Sequence, residues 1–169
     1  FGFEIEARRS QGYRLVSGPD LLLASDIETG VTGELDWTVH CVAETGSTNQ
    51  DLRQMAEQGA AEGTVIVADR QSAGRGRLGR RWESPAGVNL YCSVLLRPQI
   101  PPQQAPQLTF LSAVATAEAM IETFQLPVRV KWPNDLLVGG RKIAGMLNEV
   151  SAESEQVPFV LLGIGVNLN

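Results

Sequence analysis

The chain has 169 residues, 43% hydrophobic and 20% charged, with 19 acidic side chains against 14 basic and a net charge of −5. That length supports one good core, or one core with a fragment of another. The acidic balance excludes broad nucleic-acid binding through accumulated positive charge, and no apolar run approaches the length of a membrane span.

Cys41 and Cys92 are far apart and lack metal-type spacing; with the single His40 they exclude the usual zinc sites. Reduced structural thiols in a cytoplasmic protein are the expected reading. His40 and Cys41, adjacent on a strand, point to opposite faces and so do not form a nucleophile pair.

In chain order, residues 1–16 alternate apolar and polar on both sides of Ser10-Gln11-Gly12, a hairpin pattern. Gly18-Pro19-Asp20 breaks the chain, and residues 19–36 read as a linker with one helical turn. Residues 37–43 are strand-like. Ser47 or Thr48 is a natural N-cap for a helix to about Gln58, with Leu52, Met55 and Ala56 on one face and Gly59 as its stop. The β-branched run at 64–68 reads as a buried strand, and 88–96 as another.

Residues 107–124 form the longest expected helix, with Leu108, Leu111, Val114 or Ala115, and Ile121 or Met120 at core-facing spacing. Strands follow at 128–132 and 135–138. Gly139-Gly140 is a two-residue hairpin turn into a strand at 141–150. The last strand, 159–168, is dotted with glycine, so something packs close to its backbone. The expected fold is α/β (α+β), a mixed sheet flanked by helices. The chain starts without methionine and stops inside a β-like run, so it is expected to be a piece of a longer protein.

The chemistry concentrates in four places. Arg70, Arg75, Arg77, Arg80 and Arg81 fall within twelve residues, interleaved with Gly74, Gly76 and Gly79. Arginine forks match carboxylate and phosphate oxygens, and glycine lets backbone approach a ligand, so this loop suits closure over an anionic small molecule. Glu44-Thr45-Gly46-Ser47-Thr48-Asn49 joins a strand to a helix N-terminus, where free N–H groups meet acceptors. Lys131-Trp132-Pro133-Asn134-Asp135 sets an aromatic, an amide and a carboxylate at a turn. Gly140-Arg141-Lys142-Ile143-Ala144-Gly145 places a cation just past a hairpin. Each taken singly has a plainer reading: a basic turn, a capping motif, a proline turn, a surface lysine.

Together, in this order and spacing and with Asn-Leu-Tyr-Cys-Ser and Gly-Ile-Gly-Val-Asn, these motifs resemble the catalytic domain of bacterial biotin protein ligases. The resemblance runs from about Val42 to Asn167. It implies a class II aminoacyl-tRNA synthetase-like domain at 37–169, preceded by a wing hairpin at 1–18 from a winged helix-turn-helix domain and a linker at 19–36. The family's SH3-like C-terminal domain and its DNA-reading helices are expected to lie outside this piece.

The resemblance implies a two-step reaction. Biotin and ATP, with Mg2+, give biotinyl-5′-AMP and pyrophosphate; biotin then passes to a lysine of the carrier domain of acetyl-CoA carboxylase. It implies that Ser47, Thr48, Asn49, Gln71, Arg75, Lys142 and Gly145 contact biotin. Gly74, Arg75, Gly76, Arg77, Leu78, Gly79, Trp82, Asn134 and Asp135 would serve the nucleotide. Lys142, Arg77 and Arg75 would be catalytic, with no certain metal ligand.

A full-length bifunctional form would also bind operator DNA and repress transcription, and a homodimer through the sheet edge is expected. A lipoate or octanoyl transferase shares the architecture. A purely ligand-sensing DNA-binding regulator is a third reading, motivated by Arg8, Arg9 and Arg14 on the opening hairpin. Asn148 departs from the pattern: a polar residue stands where an apolar one is expected, in need of a partner.

Overall fold

The computed structural model describes residues 2–18, 21–153 and 156–168. The Pro19-Asp20 break lies outside them. Two strands, β1 (Glu4–Arg8) and β2 (Gly12–Ser17), pair antiparallel as the expected hairpin, and every residue in both is exposed. The expected helical turn of the linker is α1 (Ala24–Gly30).

The body is a seven-stranded sheet in the order β3-β4-β5-β9-β8-β7-β6. Its strands are β3 (Thr38–Thr45), β4 (Thr64–Gln71), β5 (Asn89–Leu96), β6 (Arg129–Lys131), β7 (Asp135–Val138), β8 (Arg141–Glu153) and β9 (Gln156–Asn167). β3 and β4 are parallel, joined by the crossover helix α2 (Thr48–Glu57); every other pairing is antiparallel. The sheet is therefore mixed, as expected.

Strand alternation distributes the helices. On β4, Val65 and Val67 pack with Ala24 and Ile27 of α1, while Ile66, one residue out of phase, packs with Leu52 and Ala56 of α2. The third helix, α3 (Gln107–Phe124), has the expected bounds and lies over β6, β7, β8 and β9.

Its buried face differs in part from the expected one: Leu108 and Met120 pack inward as expected, but the rest of the face does not. Ala113, Ala117 and Met120 meet Leu136, Ala144, Met146 and Val166, whereas Leu111, Val114 and Ile121 stay exposed. The helix is apolar almost all round, so spacing marks two stripes. The stripe of small residues seats the helix close to the sheet, and close packing decides which one is buried.

Gly139 and Gly140 form the β7–β8 turn with φ of +56° and +78°, the left-handed pair that a type I′ hairpin demands. That turn brings Lys142 back alongside Asp135. Burial raises both thiols, Cys92 to about 12, so both stay protonated at neutral pH, and Cys92 borders the cleft described below.

Candidate active site

A cleft of about 470 Å³ opens where α2 starts, where β4 ends, and where the strands β8 and β9 lie side by side. Its construction begins at α2. Ser47 occupies the N-cap position with extended backbone, but its side chain makes no capping bond. Gln71, at the end of β4, supplies the cap: its Oε1 accepts from the Thr48 N–H at 2.9 Å and from Thr48 Oγ1 at 3.2 Å. Gln71 Nε2 donates to Ser84 Oγ at 3.0 Å, and Ser84 Oγ donates to the Trp82 carbonyl at 3.1 Å. One side chain thus ties the helix start to the arginine loop.

Asn49 is committed to the fold. Its Nδ2 donates to the Leu147 carbonyl at 3.0 Å and to Glu149 Oε2 at 3.2 Å, and its Oδ1 lies 2.5 Å from Ser93 Oγ. Both its amide hydrogens and one lone pair of its oxygen are engaged by protein, so the side chain shapes the pocket wall.

The cleft floor explains the glycines of β9. A Cβ on Gly163 would stand 2.6 Å from Asn49 Oδ1 and 2.8 Å from the Leu147 carbonyl oxygen; one on Gly165 would stand 2.8 Å from the Trp82 indole. The expected close packing is therefore Asn49 over one glycine and Trp82 over the other. Trp82 Nε1 is buried with no hydrogen-bond partner among the described residues, a spare donor in the wall of the cleft.

Lys142 enters from β8. Its Nζ lies 2.5 Å from Asp135 Oδ1 and 4.9 Å from the centre of the Trp82 ring. Carboxylate and indole together fix where the ammonium sits. Arg75 and Arg77 come from the loop, which folds back on itself: Gly76 N–H donates to the Arg80 carbonyl at 2.7 Å and Trp82 N–H to the Gly74 carbonyl at 2.9 Å.

The five guanidinium groups do not all serve the cleft. Arg70 pairs with Glu44 and Arg81 with Glu83, both at the surface, and Arg75 donates to Gln50 Oε1 at 3.1 Å. Of the five, Arg75 and Arg77 are the ones that line the cleft.

Of the residues singled out in the sequence, Ser47, Thr48, Asn49, Gln71, Arg75, Gly76, Arg77, Trp82, Asn134, Lys142 and Gly145 line this one cleft. Four do not. Leu78 stands at the loop tip, 84% exposed with φ of +60°, and Gly79 follows it outward. Gly74 is packed beneath the loop against Trp82 and Ser84. Asp135 stands behind Lys142 as its partner, and Asn134 is half structural, its Nδ2 donating to the Met146 carbonyl at 2.9 Å.

Sequence reasoning missed Met146, Leu147, Gly163 and Gly165 as lining, and Ser84 and Ser93 as supports. The glycine dotting of β9 was the available signal for two of them. Asn148 remains short of partners: its Nδ2 reaches Ser112 Oγ at 3.3 Å, and its buried Oδ1 has none among the described residues.

Residues 41–167 match the biotin/lipoate A/B protein ligase family. The bifunctional ligase/repressor BirA of Bacillus subtilis is 43% identical over 99% of this chain and 52% of its own. The biotin–[acetyl-CoA-carboxylase] ligase of Mycobacterium tuberculosis is 40% identical over 75% of this chain and 48% of its own. In structure, the biotin protein ligase from Aquifex aeolicus in complex with biotin and ATP superposes with a TM-score of 0.64 at 36% identity, covering 78% of this chain and 52% of that one. The chain spans about half the length of these relatives.

Proposed function

The chain belongs to the biotin/lipoate A/B protein ligase family, and from that premise we propose that it activates biotin with ATP and joins it to protein. Biotin becomes biotinyl-5′-AMP with release of pyrophosphate, and then passes to one lysine of a biotin carboxyl carrier domain, that of acetyl-CoA carboxylase. The observation that carries this reading is the convergence of Arg75 and Arg77 from one loop and Lys142 from β8 on a single glycine-floored cleft.

The chemistry needs that convergence. A carboxylate attacking an α-phosphate brings two anions together, and fixed cations offset the repulsion and stabilise the developing charge. The carboxylate oxygen bonds to phosphorus, the bond to the pyrophosphate oxygen breaks, and pyrophosphate leaves with the electron pair. Lys142, held between Asp135 and Trp82, bridges the two reacting anions; Arg77 holds the product adenylate, and Arg75 steers the carboxylate. Ser47, Thr48, Asn49 and Gln71 form the biotin wall, and the spare Trp82 N–H is available to a ligand acceptor on the nucleotide side. A loop closed over the mixed anhydride also keeps water away from it.

Magnesium is a matter of the substrate. No group of three or more Asp, Glu, His or Cys side chains gathers among the described residues, and Asp135 is already paired with Lys142. These residues do not fit a resident ion, so magnesium enters as MgATP, held mainly by phosphate oxygens. Use of ATP and the reduced thiols suit the cytoplasm. The relatives named ligase/repressor match through the opening hairpin as well, which supports operator binding and repression by the full-length protein. β3 and β6 are the sheet's outer strands; the Val39 N–H on the β3 edge already donates to Glu28 Oε1, which leaves β6 as the edge for pairing between two copies as a homodimer.

Isothermal titration with biotin, a non-hydrolysable biotinyl-adenylate analogue and its lipoyl counterpart tests the reading. Binding of the biotinyl analogue well beyond biotin, with none of the lipoyl one, supports it. A folded protein that prefers the lipoyl analogue, or binds neither, overturns it.

A further inference from the structure

A second groove of about 560 Å³ runs alongside the cleft, and Arg77, Asn134, Met146 and Leu147 line both. Its outer wall is an aromatic pair, Phe110 of α3 and Trp132 before β7, with ring centroids 6.4 Å apart and planes inclined at 21°. Trp132 is 73% exposed, so the ring is held in place with most of its surface in water. Asn148, the residue out of pattern on β8, borders the same groove with its unpartnered amide oxygen. Apart from the shared Arg77, no charged side chain lines it among the described residues.

We propose that this groove admits the acceptor lysine of the carrier domain to the adenylate, with the Trp132–Phe110 pair as its docking wall; the inference rests on the ligase reading above. The second half-reaction needs an entrance that the bound adenylate does not fill, and a groove sharing four wall residues with the cleft provides one. Its chemistry suits a lysine, an apolar stem ending in a nitrogen donor. The stem lies along the aromatic wall, the approaching ammonium is attracted to the ring faces, and Asn148, whose buried amide oxygen lacks a partner among the described residues, borders the way in. A phosphate-bearing occupant is disfavoured, because the groove adds no cation to the one it shares.

At the junction the ammonium gives one proton to solvent, and the resulting neutral amine attacks the carboxyl carbon of the mixed anhydride. The C–N amide bond forms, the C–O bond to phosphate breaks, AMP leaves with the electron pair, and the proton shed by the amine passes to solvent.

The test uses the full-length protein with Trp132→Ala and, separately, Asn148→Val, each checked for an unchanged thermal transition. Pyrophosphate release from biotin and ATP without acceptor reports the first half-reaction. Single-turnover transfer from preformed biotinyl-adenylate to an apo carrier domain, and in parallel to hydroxylamine, reports the second. Trp132→Ala is expected to leave pyrophosphate release within about twofold. It should lower transfer to the carrier domain about tenfold or more, as loss of an interface tryptophan does, and leave transfer to hydroxylamine unchanged. Asn148→Val is expected to act in the same direction, more weakly.

Equal loss in both half-reactions would overturn the proposal and assign the groove to the nucleotide. Unchanged transfer to the carrier, with or without loss of self-association, would overturn it too. A wild-type protein that forms no adenylate would instead overturn the ligase reading itself.

Discussion

Gln71 Oε1 accepts the Thr48 N–H at 2.9 Å, so the helix that opens the candidate biotin pocket is capped from a neighbouring strand and not by its own N-cap residue. The same amide reaches Ser84, beneath the arginine loop. Pocket wall and closing loop are therefore coupled through a single side chain.

Gln71→Ala is expected to destabilise the fold by about 1 kcal/mol, the usual worth of a helix cap, and to weaken ligand binding at the same time. Ser47→Ala, whose hydroxyl makes no capping bond, should change stability by less than about 0.5 kcal/mol. Urea unfolding of the two variants checks the contrast. Equal losses would mean that Ser47 shares the capping role.

Gly163→Ala should destabilise by about 1–3 kcal/mol, because the new methyl meets the Asn49 amide and the Leu147 carbonyl at well under van der Waals distance. The carbonyl is backbone and cannot step aside. The expected result is a lower thermal midpoint together with loss of ligand binding, since displacing Asn49 also opens the Ser93 contact. A variant with unchanged stability would show that the Asn49 side chain is not seated on this glycine.

Much of this was legible in the sequence, for identifiable reasons. The bounds of α3 and the Gly139-Gly140 turn follow from local patterns, which is what periodicity and turn chemistry encode. The cleft residues were legible because motifs that each have a plainer reading singly occur together in the order and spacing of the family the chain resembles. The face that α3 buries was not: Leu111 looks more core-like than Ala113, and only the distance to the sheet decides between them. The Gln71 cap was equally hidden, because donor and acceptor sit 23 residues apart. Asn49 looked like a ligand contact, and the structure engages its amide with Leu147, Glu149 and Ser93.

Arg77→Gly should leave biotinyl-AMP formation measurable while loosening its retention. Released adenylate then acylates stray lysines, which mass spectrometry of a bystander protein detects. Undetectable release from this variant would remove Arg77 from the holding role.

Cys92 gives a prediction for alkaline pH. Burial raises its pKa from the ordinary 9.0 to about 12. Between those values the unfolded chain has lost a proton that the folded one keeps, so this contribution to stability is full below pH 9 and fades as pH rises towards 12. Urea unfolding across that window should lose at most about 1.4 kcal/mol per pH unit more in the wild type than in Cys92→Ala. Parallel alkaline limbs in the two proteins would mean that the thiol ionises as freely in the fold as out of it.

In the proposed function, Arg75, Arg77 and Lys142 hold two anions together so that biotin is adenylated. The most direct measurement is mass-spectrometric detection of the acyl-adenylate formed by the full-length protein from ATP with biotin, and in parallel with lipoate. Biotinyl-5′-AMP and no lipoyl counterpart is the expected result, with the rate falling by about 10²–10³-fold in a folded Lys142→Ala variant, as for loss of a group that stabilises transition-state charge. Lipoyl-AMP in place of biotinyl-AMP, or a near-normal rate without Lys142, would contradict it.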